Sequence, residues 1–134
     1  MAKRNSPEQT EHDLVVKVSA ASYTKHGGTA IMNLGSEKNK DVSGYYPDVV
    51  AQKQDGTKVI EEIETDTSVT QDECDTQWKL YSKLGYLFVL VVPQGKVGLA
   101  RRFARKSGVS LTLQGYVIEG NNVYFYDEHG KKVV

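Results

Sequence analysis

The chain has 134 residues, with 39% hydrophobic and 25% charged side chains, and its 17 basic and 17 acidic residues leave no net charge. That size suits a single domain over residues 1–134 whose core needs no disulfide or metal staple, and zero net charge argues against a non-specific nucleic-acid coat, which would be strongly basic. No apolar run approaches the length of a membrane span, the polar opening stretch is no signal peptide, and the lone Cys74 has no internal disulfide partner, so a cytoplasmic protein is expected.

Residues 1–5 read as flexible. A first helix opens at Ser6, with Ser6 as cap, Pro7 in the first helical position and Gln9 where a capping box wants it. Leu14, Val15 and Val18 share one face, and His26-Gly27-Gly28 ends the helix. A short strand, Thr29 to Leu34, leads into a polar loop from Gly35 to Gly44 that is expected to be mobile. Tyr46 to Lys53 and Lys58 to Thr65 are strands joined at the Asp55-Gly56 signal of a tight hairpin. Thr70 and Glu73 form a capping-box pattern for a second helix, with Cys74, Trp78 and Tyr81 on its buried face and Gly85 closing it. Tyr86 to Val92 is a continuous apolar run, the mark of a central strand covered on both faces. Val97 to Ser107 is a basic helix, and Ser110 to Ile118 and Asn122 to Tyr126 are alternating strands joined around Gly120-Asn121.

The order is therefore α-β-β-β-α-β-α-β-β: an α/β fold with a mixed central sheet, a hairpin on one side and helices on both faces. Charge is unevenly spread along it. Seven carboxylates and no cation lie between Glu61 and Asp75, and five cations and no acid between Lys96 and Lys106. Strand alternation points Glu62 and Glu64 the same way. Asp48, on the neighbouring strand, can face them. Three carboxylates that close repel one another unless a counter-ion intervenes, and Mg²⁺ or Mn²⁺ is the natural one for oxygen ligands. Such an ion can polarise a phosphate and activate water. The alternative for these acids is a solvated strand face that discourages aggregation.

Pro47-Asp48, a hairpin, and then Glu62-Ile63-Glu64 after 13 intervening residues resembles the signature of the PD-(D/E)XK phosphodiesterases. That superfamily includes restriction endonucleases, Holliday-junction resolvases and DNA-repair nucleases. The resemblance extends over roughly residues 6–126 and implies a restriction-endonuclease-like fold. It implies Asp48 and Glu62 as metal ligands in a nuclease hydrolysing DNA, endonuclease or resolvase-like. The chain departs from the main pattern at Glu64, where most members carry Lys. Some members carry Glu there, as ligand or proton acceptor. In others the lysine comes from the following helix, where Lys79 is the candidate and Lys83, one turn on, could serve equally. Glu11 on the first helix is a further candidate carboxylate for the metal. By analogy such a small domain works as a homodimer or with a larger partner.

Arg101, Arg102, Arg105 and Lys106 on the basic helix either meet DNA phosphates or solubilise one face. Tyr45 and Tyr46 either stack on a base or cover the sheet. His12, His26 and His129 make no metal spacing with Cys74, so zinc is not expected. The competing function is a non-catalytic nucleic-acid-binding or assembly module that keeps the nuclease fold, favoured by the missing lysine and the zero net charge.

Overall fold

The computed structural model describes residues 4–133. In chain order these form α1 (Ser6–Lys25), β1 (Thr29–Met32), β2 (Val49–Gln52), β3 (Lys58–Ile63), α2 (residues 71–81), β4 (Leu87–Pro93), α3 (Val97–Ser107), β5 (Thr112–Glu119) and β6 (Asn122–Asp127). The six strands make one mixed sheet in the order β1-β2-β3-β4-β5-β6. β4 pairs parallel with both β3 and β5; the other pairs are antiparallel. The two parallel steps are bridged by α2 and α3, because a parallel connection needs a crossover and a helix supplies its length. Phe88 to Val92 are buried, as the apolar run required.

Helices cover both faces. Val15, Val16 and Ala20 of α1 pack on Val49, Ala51, Val59, Ile63, Val89 and Val91. On the opposite face Cys74, Trp78 and Tyr81 of α2 and Ala100 and Ala104 of α3 pack on Ile60, Phe88, Leu90 and Val92. Each of these larger side chains, fully buried, contributes about 1.5–3 kcal/mol.

Several local features differ from expectation. Asn5, one residue earlier than the expected Ser6, caps α1: its side chain accepts the Glu8 N–H at 2.9 Å and donates to the Glu8 carboxylate at 3.1 Å. The expected flexible stretch 1–5 is therefore ordered at Arg4 and Asn5, and residues 1–3 lie outside the described ones. The buried face of α1 carries His12, Val15, Val16, Ser19 and Ala20, with Leu14 and Val18 at its margin. The loop expected to be mobile is tied to buried Asn33. The Asn33 side chain donates to the carbonyls of Lys40 and Pro47 and accepts the N–H groups of Asn39 and Lys40. Within that loop Val42 and Tyr45 exchange backbone hydrogen bonds around Ser43 and Gly44, whose φ of 53° and 86° suit a tight reversing turn.

α2 is not regular. It opens at residues Gln71–Glu73 under a Thr70 cap, passes through a π-helical turn over Cys74–Trp78, and closes as α-helix over Lys79–Tyr81. The Lys79 N–H reaches back to the Cys74 carbonyl, five residues earlier. That widened turn brings side chains five apart, Glu73 and Trp78, towards one side.

Candidate metal centre

The β2–β3 ladder runs in the register Val49↔Glu61 and ends there. One step beyond, Asp48 and Glu62 stand opposite each other, and their carboxylates take over from carbonyls as acceptors. The Asp48 N–H donates to Glu62 Oε1 at 3.1 Å, and the Ile63 N–H donates to Asp48 Oδ2 at 2.9 Å. The sheet thus parts where its two acids lie, and each acid caps the other's opened strand.

Asp48, Glu62 and Glu64 are only 6%, 5% and 2% exposed. That excludes the solvated-face alternative for all three. Burial, then the charges of Asp48 and Glu64, push Glu62 well above the ordinary glutamate range. Burial also lifts Glu64, to about 7, against the stabilising hydrogen bonds of Trp78 and Ser68. Glu64 is richly held: Oε1 accepts from Arg4 at 3.2 Å and Ser68 at 2.9 Å, and Oε2 from the Trp78 indole at 2.7 Å. Buried Glu73 adds its charge from the π-turn side and raises Glu64 further. The Tyr81 hydroxyl, raised by burial and then by Glu62, Asp48, Glu64 and Glu73, borders the same cluster.

Two basic side chains face these acids, neither picked out by the sequence. Arg4 reaches in from the segment before α1, its side chain 6% exposed. His12, buried in α1, places Nε2 at 3.1 Å from Asp48 Oδ2 and Nδ1 at 3.1 Å from Asp13. Burial works against its protonation, but the hydrogen bond and charge of Asp48 outweigh that, and His12 sits above the ordinary histidine value. No motif flags either residue. A histidine among polar helix residues looks like surface until the helix is docked.

The remaining sequence candidates are dispersed. Glu11 is the nearest of them: its carboxylate accepts the Tyr116 hydroxyl at 2.7 Å, and that hydroxyl also lies 3.0 Å from the Glu64 carbonyl. Lys79 is exposed, and its charge is felt at Cys74 and Asp75. Arg101 is tied to Glu128, donating to its carbonyl at 2.6 Å with the carboxylate 3.8 Å away. Arg102, Arg105 and Lys106 are exposed on α3. Tyr45 is exposed and meets Tyr81 edge-on at 6.3 Å, and Tyr46 lies under the Lys38 ammonium at 5.5 Å. The neighbouring Glu61 points to the other face, where Ser19 and Tyr23 of α1 donate to its two oxygens.

Among the described residues no three His, Cys, Asp or Glu side chains form a ready-made ligand set. A two-carboxylate site does fit. Asp48 Oδ1 and Glu62 Oε2 accept no hydrogen bond from the described residues. Mg²⁺ and its relatives bind through one or two carboxylates and keep several waters. Four buried carboxylates against Arg4 and His12 also leave an excess of negative charge that a divalent cation would offset. A cavity of about 410 Å³ adjoins the site, with Asp48, His12 and Arg4 in its wall.

Comparison with protein-family models, with curated proteins and with solved structures gives no match. Among the described residues no helix is long and apolar enough to cross a membrane.

Proposed function

We propose that this chain is a divalent-metal-dependent nuclease of the PD-(D/E)XK kind that hydrolyses DNA phosphodiester bonds. The observation that carries the reading is the convergence of Asp48 and Glu62 at the parting of β2 and β3, buried, mutually repelling, and each with one carboxylate oxygen unpartnered among the described residues. The order of strands and helices around that point supports a restriction-endonuclease-like core. Asp48 and Glu62 are the metal ligands, and bound Mg²⁺ or Mn²⁺ supplies a polarised phosphate and an activated water. Glu64, spanned by Arg4, Ser68 and Trp78, fixes the cluster's far side. The exposed Arg102, Arg105 and Lys106 offer a phosphate-contacting face.

A second reading, a nucleic-acid-binding module without catalysis, draws on the hydrogen bonds that already occupy both oxygens of Glu64. Cleavage separates the two. Labelled duplex, single-stranded and four-way-junction DNA are incubated with Mn²⁺ and wild type, Asp48→Asn or Glu62→Gln. The nuclease reading expects metal-dependent cutting that falls about 10³-fold or more in each variant, some 4 kcal/mol of transition-state stabilisation. Binding of these DNAs with no cutting in any metal would establish the module instead.

A further inference from the structure

Resting on the nuclease reading, we propose that Arg4, standing in for the missing lysine of the strand motif, is the cation that meets the phosphodiester, and that the cavity beside Asp48 is where that phosphodiester lies.

A guanidinium has five N–H donors in a fixed planar fork. Three of them are used within the chain: Nε donates to Thr65 Oγ1 at 3.3 Å, and Nη2 to the Ile63 carbonyl at 3.1 Å and Glu64 Oε1 at 3.2 Å. The pair on Nη1 has no acceptor among the described residues. The side chain is 6% exposed and is held along its Nε–Nη2 edge. It lines the same cavity as Asp48. Glu64 therefore acts as an orienting carboxylate: its bond to Nη2 fixes the plane of the fork, and the fork's free edge carries the positive charge towards the space beside Asp48.

The cavity has the size and chemistry for a backbone phosphate with its sugar. Its volume of about 410 Å³ lies in the ~300–1,000 Å³ range of ligand sites. Its wall also includes Gln9, Tyr46 and Lys38, the last poised over the Tyr46 ring. The one acid in the wall besides Asp48 is Glu37, which accepts the Leu34 N–H at 3.3 Å within its own loop. In hydrolysis water releases one proton to solvent as its oxygen forms a bond to phosphorus, the bond from phosphorus to one sugar oxygen breaks, and that oxygen leaves as a hydroxyl with a proton from solvent. The negative charge that builds on the non-bridging oxygens falls opposite the two Nη1 donors. Lys79, exposed beside Asp75, is turned to a different neighbourhood.

The test compares Arg4→Gln, Arg4→Lys, Lys38→Gln, Lys79→Gln and, as a charge control on the exposed side of α1, Lys17→Gln. Single-turnover cleavage with Mn²⁺ is measured, together with binding of a fluorescent oligonucleotide in Ca²⁺ and thermal melting. Arg4→Gln is expected to slow cleavage by about 10²–10³-fold, with Arg4→Lys recovering part of the loss. Lys38→Gln is expected to weaken binding and to lower the salt dependence by about one phosphate contact, and Lys17→Gln to do neither. The proposal is overturned if Arg4→Gln melts and cuts like wild type, or if Lys79→Gln suffers the larger loss. Should Arg4→Gln unfold, exposed Lys38 decides: unchanged binding and salt slope in Lys38→Gln remove the cavity as the phosphodiester site. Absence of cutting by wild type with binding still sensitive to Arg4 and Lys38 would sink the nuclease reading and leave the phosphodiester site standing.

Discussion

At the scale of single residues, the centre is a balance between burial and charge. Glu62 accepts one backbone N–H, at 3.1 Å, and otherwise faces other carboxylates. Its ionised form is costly in the folded protein, and that cost is what a metal ion would relieve. Glu62→Gln keeps the acceptor for the Asp48 N–H and removes the charge. In metal-free buffer at pH 8 the variant is expected to be more stable than wild type by about 1–2 kcal/mol, measured by urea denaturation. A less stable Glu62→Gln would contradict the uncompensated charge assigned to Glu62. The acids themselves were legible in the sequence, because strand alternation sends Glu62 and Glu64 to one face and Pro47-Asp48 supplies the facing strand. Their counter-charges were not. Arg4 lies in a segment with no pattern, and His12 is buried only because the start of α1 overhangs the end of β2.

At the scale of elements, the basic helix and the apolar central strand were plain from composition and spacing, while two features were hidden. The buried face of α1 includes His12 and Ser19, with Tyr23 beside them, which serve the acids of the sheet rather than the apolar core. A search for apolar periodicity therefore joins Val15 to Leu14 and Val18, where the docked face joins it to Val16, Ser19 and Ala20. The π-turn of α2 has no local signal either; its consequence is that Trp78, expected as core, also gives its indole N–H to Glu64 at 2.7 Å. Trp78→Phe keeps the ring and removes the donor, leaving a buried carboxylate oxygen without a partner. We expect a loss of about 1.5–3 kcal/mol in denaturant unfolding. A loss below about 0.5 kcal/mol would mean that the bond to Glu64 contributes nothing net. Trp78 is the only tryptophan, so its fluorescence in wild type should titrate with Glu64, near pH 7.

For the whole molecule, the buried titratable groups around β2 and β3 shift upward and a set of surface acids shifts downward. Glu61, Glu62 and Glu64 all sit above the ordinary glutamate value, and His12 above the ordinary histidine value. A group that holds its proton more tightly when folded stabilises the fold fully below its unfolded value and loses that contribution as pH rises through its folded value. For Glu64 the window runs from 4.5 to about 7, worth on the order of 3 kcal/mol at 1.36 kcal/mol per pH unit. Glu8, Asp55, Asp75 and Asp127 are displaced downward and act in the opposite sense, chiefly below pH 4.5. The metal-free protein should therefore be most stable near pH 5 and lose stability towards pH 8, as followed by urea denaturation across that range. A profile that rises from pH 5 to pH 8 would contradict this electrostatic account.

The most direct test of the acid pair as a metal centre is thermal unfolding at pH 8 with and without Mn²⁺, for wild type, Asp48→Asn and Glu62→Gln. A site that binds the folded form gains about 2.7 kcal/mol at a metal concentration 100 times its dissociation constant. We expect wild type to show a saturable rise in Tm with Mn²⁺ and both variants to show none. No rise in wild type at millimolar Mn²⁺, or an equal rise in all three proteins, would contradict the assignment of Asp48 and Glu62 as metal ligands.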